Sequence, residues 1–197
     1  TNVIQPEVCI ITPIELEHTE YLGNSIEEIA GEKAGIIKEG VTVFSSAQRD
    51  AAGKVLKKSA GERSAQILFP NDYLEDLKSE VKLSTTHCYI KYHDGMEINC
   101  RLRLLGSFQA ENAGLAGAAA KTLIPWLPAG VIERGLSSAF IPGRMEFLSG
   151  NPLLILDSAH TIRSVERSLD AFLASTKESG ESGILIFGSV KGKDYQG

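Results

Sequence analysis

The clearest capacity for chemistry belongs to a lysine on the apolar face of a predicted helix. Ser25 followed by Glu28 is a capping box, so we expect the helix to begin at the next residue, and Gly35 is expected to end it as a left-handed C-cap. Its apolar face has the spacing i, i+3, i+4 and i+8: Ile26, Ile29, Ala30 and Ala34. Lys33 falls at i+7 of this face, where desolvation disfavours the ammonium ion and a neutral amine can react. The alternative is a lysine whose stem covers apolar surface and whose charge suits the helix dipole.

A histidine precedes this helix in an acidic setting. His18 is flanked by Glu15, Glu17 and Glu20. Carboxylates beside an imidazole can build a divalent-cation site. The alternative is a solvated loop histidine without a ligand.

A second group of polar residues follows a predicted strand. Asp157 and His160 lie where an apolar run hands over to an amphipathic segment, and ligands in open α/β sheets bind at the carboxyl ends of strands. These two residues are therefore candidates for a ligand site. The alternative is that Asp157 or Ser158 caps the following helix.

The segment that carries His18 and Lys33 resembles a family signature. It reads EHTEYLGNSI, then IA, then EKAGIIK, and it is similar to folylpolyglutamate synthase and dihydrofolate synthase of the Mur-type ligase superfamily, with Glu17 where the family has Asp. The resemblance implies that His18 is a magnesium ligand. It also implies that Lys33 is carbamylated and helps to hold a second magnesium, since a carbamate offers oxygen to a hard cation.

Further motifs extend the resemblance along the chain. The family's Gly-x-His-Gln-x-x-Asn-Ala motif is present with Phe108 in place of histidine, and the resemblance implies that Asn112 contacts the nucleotide. Helix packing alone would also explain the small residues of this segment. The family's Pro-Gly-Arg implies that Arg144 meets ATP phosphate, a role that its forked guanidinium suits; without the resemblance, Arg144 is a surface residue.

The family's Asp-Gly-Ala-His-Asn motif matches at Asp157 and His160 and departs at Ser158 and Thr161. The resemblance implies that Asp157 meets ATP and that both matching residues face the cleft near the nucleotide and the incoming glutamate.

The last loop of the chain, GSVKGKD, is not a phosphate-binding loop, because its glycines are one residue too close and an aspartate replaces the hydroxyl. The family has Asp-Lys-Asp here. Lys193 and Asp194 match it, and Gly192 departs. The resemblance adds these two residues to the nucleotide site.

The elements that must position these residues have an α/β pattern. Apolar runs at 8–12, 41–44 and 65–69 alternate with helical segments, which predicts a parallel sheet with crossover helices of the Mur ligase central-domain type. Residues 74–80 have no clear assignment. We place a domain boundary at the Pro-Gly turn, giving a partial central ATPase domain at 1–141 and half of a Rossmann-like C-terminal glutamate-ligase domain at 142–197. In the second domain we expect strands at 145–148, 153–156 and 184–187, and a helix at 162–176.

A small antiparallel hairpin interrupts the parallel pattern at about 87–104. A three-residue loop with Gly95 left-handed pairs Tyr92 with Met96 and Cys88 with Cys100, and this register keeps apolar residues on one face. We therefore expect the two cysteines to be cross-strand neighbours with free thiols.

Composition excludes several classes of protein. The 197 residues are 43% hydrophobic and 23% charged, with a net charge of −5, so no basic surface for nucleic acid is expected. No run is long and apolar enough for a membrane span. Three cysteines without a CxxC pair suggest a reducing compartment, and we expect a cytoplasmic protein.

The resemblance implies an ATP-dependent ligase that adds L-glutamate to a folate or dihydropteroate carboxylate through an acyl phosphate, with ATP and Mg²⁺ as cofactors. The family's phosphate loop has no counterpart here, so we expect an internal fragment that is inactive alone and can self-associate through incomplete sheet edges. Other hypotheses are a Mur-type ligase with a different acceptor and a non-catalytic remnant. Dihydrofolate synthesis, polyglutamylation, or both remain open.

Overall fold

A computed structural model of the chain describes residues 2–16, 22–177 and 183–188. A parallel sheet comes first, with strands β1 (Val8–Ile11), β2 (Thr42–Ser45) and β3 (Gln66–Leu68) in the order β1-β2-β3. Both pairings are parallel, and Val43 in the middle lies opposite Cys9 on one side and Ile67 on the other. The predicted parallel sheet is thereby confirmed.

Two crossover helices cover the sheet and pack against each other: α1 (Ile26–Ala34) and α2 (Asp50–Glu62). Their buried residues share one core with the strands: Cys9, Ile11, Ile29, Ala30, Val43, Ala52, Leu56 and Ala60. Burial of these side chains is the main stabilising term for this region, because apolar surface removed from water contributes in proportion to its area.

The N-terminal end of α1 is as predicted, and its C-terminal end is not. Ser25 Oγ accepts a hydrogen bond from the Glu28 N–H at 3.2 Å, as the capping box predicts. The predicted left-handed C-cap is wrong, since Gly35 has φ −58° and ψ −20°. The helix instead tightens at its end, where Ile37 N–H donates to Ala34 O at 3.0 Å. The glycine gives room to the side chain of Asn2, which a Cβ at this position would meet.

A three-stranded sheet follows the four-residue helix α3 (Pro70–Tyr73): β4 (Leu74–Val81), β5 (Thr86–Tyr92) and β6 (Glu97–Leu102), in the order β4-β5-β6. Residues 74–80, which the sequence pattern left unassigned, thus belong to a strand.

The hairpin register is confirmed. Gly95 has φ +84°, Tyr92 N–H donates to Met96 O at 2.9 Å, and the two sulfurs of Cys88 and Cys100 lie 3.2 Å apart.

The remaining elements are helices α4 (Ser107–Leu123) and α5 (Ala129–Ser138), the antiparallel strand pair β7 (Glu146–Gly150) and β8 (Leu153–Leu156), and helix α6 (Ile162–Thr176). The predicted strand at 184–187 is wrong, because residues 183–188 have no regular secondary structure and no described strand pairs with them. Ile184 and Ile186 are each 92% exposed. In the described part of the chain, no helix has the length and apolar character needed to cross a membrane.

The contacts divide the chain into two units that interleave along the sequence. The first comprises Thr1–Asp76, Ile90–Glu97 and Glu111–Ile132, and the second comprises Leu77–Tyr89, Ile98–Ala110 and Glu133–Gly197. The domain boundary between residues 141 and 142 stays a prediction.

Candidate functional site

Lys33 lies in the last turn of α1 and is half-buried, beside Ala34 at 1% exposure. Another lysine lies at this helix end: Lys38 Nζ donates to the C-cap carbonyl, Gly35 O, at 2.8 Å, and to Asn2 O, in the segment before β1, at 2.7 Å. The helix end therefore has a cation without Lys33. Lys33 itself lies in the last turn, where a cation also suits the helix dipole, so both roles of Lys33 stay predictions.

Lys33 forms part of the wall of a cavity of about 680 Å³. Strand β1 and the segment before it supply most of the wall, with Leu22 and Ile36 adding apolar surface. The charged residues among those lining it are Glu32 and Lys33. A cavity of this size and mostly apolar character is typical of a small-molecule site.

Cys9 lines the same cavity but is not a nucleophile. Its Sγ donates to Ile36 O at 3.2 Å, and the residue is 3% exposed. Burial raises the pKa of the Cys9 thiol, and the nearby Lys38 charge only partly opposes this. The thiol is therefore neutral at physiological pH.

The carboxyl ends of β1 and β2 carry a polar network built around Gln48. Its amide nitrogen donates to Thr12 O at 3.0 Å and to Ser45 Oγ at 3.1 Å, and its amide oxygen accepts from Ile14 N–H at 3.0 Å. Ser46 N–H donates to Ile11 O at 2.9 Å. One side chain thus fixes the start of the loop that leaves β1 at the edge where parallel sheets bind ligands.

Asn112 lies half-buried in the second turn of α4. Phe108, which replaces the histidine of the family motif, packs against a small cluster made of Leu105, Met145 and Ala171. The Arg167 guanidinium lies 5.9 Å from the Phe108 ring. Phe108 therefore has a packing role in the second unit.

Arg144 is exposed on a turn of unusual backbone conformation. Gly143 has φ +67°, and Met145, which is 2% exposed, has φ +47°. A left-handed conformation is unfavourable for a methionine, so the surrounding contacts must hold it. Glu146 supplies one such contact, because its Oε2 accepts from Gly143 N–H at 2.8 Å.

Asp157 supplies the other contact and ties two loops together. Its Oδ2 accepts from Met145 N–H at 2.7 Å, and its Oδ1 accepts from Ala159 N–H at 2.7 Å and from the Ser168 hydroxyl at 3.0 Å. Ser158 N–H adds a bond to Gly143 O at 2.8 Å. The structure thereby joins the turn of Arg144 to the loop of His160.

Helix α6 is capped by Thr161, so the alternative cap at Asp157 or Ser158 is wrong. Thr161 Oγ1 accepts from Ser164 N–H at 3.2 Å, and Ser164 Oγ accepts from Thr161 N–H at 2.9 Å. His160 is exposed just before this cap, with Nδ1 3.0 Å from Ser158 O. A carbonyl only accepts, so Nδ1 carries the proton.

Comparison with known protein families assigns the chain to one of them. A family model described as the Mur ligase middle domain matches residues 1–120, which is more than half of the sequence. The chain belongs to this family. The parallel sheet with crossover helices agrees with the fold type that the resemblance implied.

The chain is similar to curated proteins and to solved structures that are named folylpolyglutamate synthase or dihydrofolate synthase. The dihydrofolate synthase/folylpolyglutamate synthase of Bacillus subtilis is 32% identical over 200 residues, covering 100% of this chain and 46% of the relative. A folylpolyglutamate synthase complex with AMPPCP and folate matches with a TM-score of 0.81 and 28% identity, over 93% of this chain and 45% of the other. A Mycobacterium tuberculosis folylpolyglutamate synthase with ADP and AMPPCP gives 0.79 and 28%, over 88% and 40%. The Mur ligase chain thus spans about half the length of these relatives.

Three predicted site residues of this chain lie outside the described part: His18, Lys193 and Asp194. Among residues 2–16, 22–177 and 183–188, no group of three or more His, Cys, Asp or Glu side chains is placed to hold a metal. Gln48 is not among the predicted site residues, although the Ser-Ser-x-Gln run after a buried strand is a usable signal.

Proposed function

We propose that this Mur ligase chain is part of an ATP-dependent enzyme that joins L-glutamate to a folate or dihydropteroate carboxylate. The observation that carries the proposal is the match along the whole chain to relatives named dihydrofolate synthase/folylpolyglutamate synthase. A matching structure of that class contains an ATP analogue and folate. The cavity beside Lys33, about 680 Å³ in size, lies within the volume range of small-molecule sites.

The proposed reaction has two steps. The carboxylate takes the γ-phosphoryl group of ATP and becomes an acyl phosphate, and ADP leaves. The glutamate amine then attacks the acyl carbon, phosphate leaves, and an amide forms. Arg144 offsets charge on the transferring phosphoryl group, because a guanidinium pairs with phosphate oxygens through two parallel hydrogen bonds. Asp157 keeps the Arg144 turn in place. In this proposal Asn112, Lys193 and Asp194 each contact the nucleotide, and His160 lies near the incoming glutamate.

Lys33 has a distinct role in this proposal. A neutral amine captures carbon dioxide, loses one proton and becomes a carbamate. Lys33 is half-buried in the wall of the mostly apolar cavity, so its amine lies where bound carbon dioxide could reach it. The carbamate oxygens and His18 would hold Mg²⁺, which neutralises phosphate charge when bound.

The test uses the longest natural protein that contains this chain. Replacing Lys33 by alanine is expected to reduce glutamate ligation by at least roughly 10³-fold, because the loss of one preorganised charge contact already costs 10²–10³. Lys38→Ala is the matched control, since it removes a lysine near the same helix end and should leave turnover within a few-fold. Intact-mass measurement in bicarbonate buffer should show one added carbon dioxide that is absent from Lys33→Ala. Full turnover by Lys33→Ala would refute the assigned role.

A second candidate is a Mur-type ligase with another acceptor, because the matching family model covers the middle domain of Mur ligases in general. A substrate screen decides between them. Dihydropteroate or a reduced folate should support ATP-dependent glutamate incorporation, whereas turnover confined to UDP-sugar peptides would favour the second candidate. The 197-residue chain contains no G-x-x-x-x-G-K-[ST] sequence, so we expect it to bind MgATP weakly on its own.

A further inference from the structure

The hairpin holds two thiols closer together than packing alone requires. Cys88 in β5 and Cys100 in β6 have their sulfurs 3.2 Å apart, with exposures of 3% and 5%. The register sets this proximity, since Tyr92 pairs with Met96 and counting back four residues brings the cysteines opposite each other. Directly opposed residues in antiparallel strands have Cα atoms roughly 4.5–5.5 Å apart, inside the range of about 4.4–6.8 Å that a disulfide spans.

We propose that Cys88 and Cys100 form an oxidation site at which a hydroperoxide produces an intramolecular disulfide. The site lies outside the proposed ligase chemistry and does not depend on it. Both sulfurs already face each other, so the bond needs a small side-chain movement and no change of strand pairing. Cys9 is an internal control, because its thiol donates a hydrogen bond to a backbone carbonyl, Ile36 O, and does not face another cysteine in this bond.

The chemistry proceeds in two balanced steps. The Cys88 thiolate attacks a peroxide oxygen, the O–O bond breaks, and Cys88 becomes a sulfenic acid while hydroxide (or alkoxide) leaves. The Cys100 sulfur then attacks the Cys88 sulfur, the S–O bond breaks, and water leaves with the Cys100 proton. The peroxide gains two electrons and the two thiols lose them.

The hydrogen bond between the thiols supports this order of events. The Cys100 S–H stabilises a Cys88 thiolate and lowers the pKa of Cys88, whereas the same neighbour and burial raise the pKa of Cys100. A lower thiol pKa gives a larger fraction of the reactive thiolate. Cys88 is therefore the first sulfur to react and Cys100 is the resolving sulfur.

The position of the pair gives a small oxidant a route. Strand β6 is at the end of the order β4-β5-β6, and Cys100 lies two residues before the end of β6. Ends of edge strands open locally at low cost. The disulfide would also stabilise a neighbouring contact. Cys88 lies two residues from Thr86, whose Oγ1 accepts a hydrogen bond from Gly106 N–H at 2.9 Å, just before α4 begins.

The experiment treats the reduced chain with hydrogen peroxide, blocks free thiols with an alkylating agent and maps the peptides by mass spectrometry. We expect Cys88 and Cys100 to lose reactivity together and to appear in one disulfide-linked peptide, while Cys9 stays alkylatable after denaturation. The thermal midpoint should rise by roughly 6–12 °C and return on addition of dithiothreitol, as expected for a cross-link that closes a short loop in a chain of this size.

Matched variants sharpen the result. Cys9→Ala should keep the disulfide and the midpoint rise, and Cys88→Ala and Cys100→Ala should each lose both. The peptide map of the unsubstituted chain needs no variant, so it decides even if one of them fails to fold. A disulfide that includes Cys9, a disulfide-linked dimer, sulfinic acid at Cys88 beside a free Cys100, or three unmodified thiols would each overturn the proposal.

Discussion

The two regions that carry candidate chemistry hold their residues in place by different means. The parallel sheet with α1 and α2 shares one core of thirteen buried residues, and Lys33 projects from its margin. The segment from β7 to α6 packs against a cluster with three buried members, Leu105, Met145 and Ala171. Its strand residues Leu154 and Leu156 are 50% and 49% exposed.

Hydrogen bonds supplement the small core of the second region. One carboxylate, Asp157, accepts from three donors and holds Met145 in its left-handed conformation. Apolar burial is non-directional and tolerates small shifts, whereas hydrogen bonds are directional and fix angles. The Lys33 region is therefore stabilised mainly by buried apolar surface, whereas a few hydrogen bonds fix the backbone conformation of the Arg144 turn.

The largest loss of stability should come from a substitution that leaves a void in the core of the first region. Leu56 is fully buried between α2 and the sheet, so Leu56→Ala should reduce the free energy of unfolding by about 2–5 kcal/mol. Leu154→Ala is the matched control in the second region, and its half-exposed side chain should cost less than about 1 kcal/mol. Urea denaturation followed by circular dichroism measures both. Equal costs would break the comparison.

The second effect concerns the polar contacts of Asp157. Asp157→Ala leaves Met145 N–H and Ala159 N–H without their acceptor, whereas the Ser168 hydroxyl still has Ser164 O at 2.9 Å; we expect a cost of about 1.5–3 kcal/mol in the local structure. Amide hydrogen exchange at Met145 should accelerate by roughly 10- to 150-fold, while amides of β2 stay protected. Ser168→Ala removes one of the three bonds and should give a smaller acceleration. Unchanged exchange at Met145 would show that other contacts fix the turn.

The sequence predicts those parts of the fold in which local pattern and packing agree. Helix α6 has the predicted bounds Ile162–Thr176, because its apolar period covers these residues, although the cap at Thr161 is not predicted. The hairpin register is also predictable, since only one register keeps its apolar residues on one face. The strand at 184–187 fails for the opposite reason: an apolar run forms a strand only where another strand pairs with it, and no described strand does so.

The candidate site is predictable only in its residue types. A family motif identifies Asp157, but nothing in the sequence indicates that its oxygens face the Met145 amide, because that bond depends on a left-handed methionine twelve residues earlier. The same limit applies to Gln48, whose three bonds reach two other segments. Long-range polar contacts depend on the finished fold, whereas helix caps and strand periods depend on neighbours in sequence.

The smallest expected change in stability concerns the buried phenol of Tyr73 in the first region. Tyr73 is 7% exposed and donates to Ser45 O at 3.4 Å, and burial together with the charges of Glu111 and Asp72 raises the pKa of its phenol. The folded chain keeps this proton above pH 10 while the unfolded chain loses it, so this contribution to stability is complete below pH 10 and falls as pH rises. Each pH unit above 10 should cost about 1.4 kcal/mol until the pKa of folded Tyr73 is reached.

Tyr73→Phe removes this titration but keeps the ring that packs edge-on against Phe44 at 5.4 Å. Urea denaturation at pH 8, 10 and 11 should therefore show the wild-type chain losing about 1 kcal/mol more than the variant between pH 10 and 11, with a constant offset of about 0.5–1.5 kcal/mol below pH 10 from the lost hydrogen bond. The difference between the two chains isolates Tyr73 from every other group that titrates in alkali. If the two chains lose stability in parallel up to pH 11, water reaches the phenol of Tyr73. The core under β2 would then exclude solvent incompletely, and apolar burial would not be what distinguishes the first region from the second.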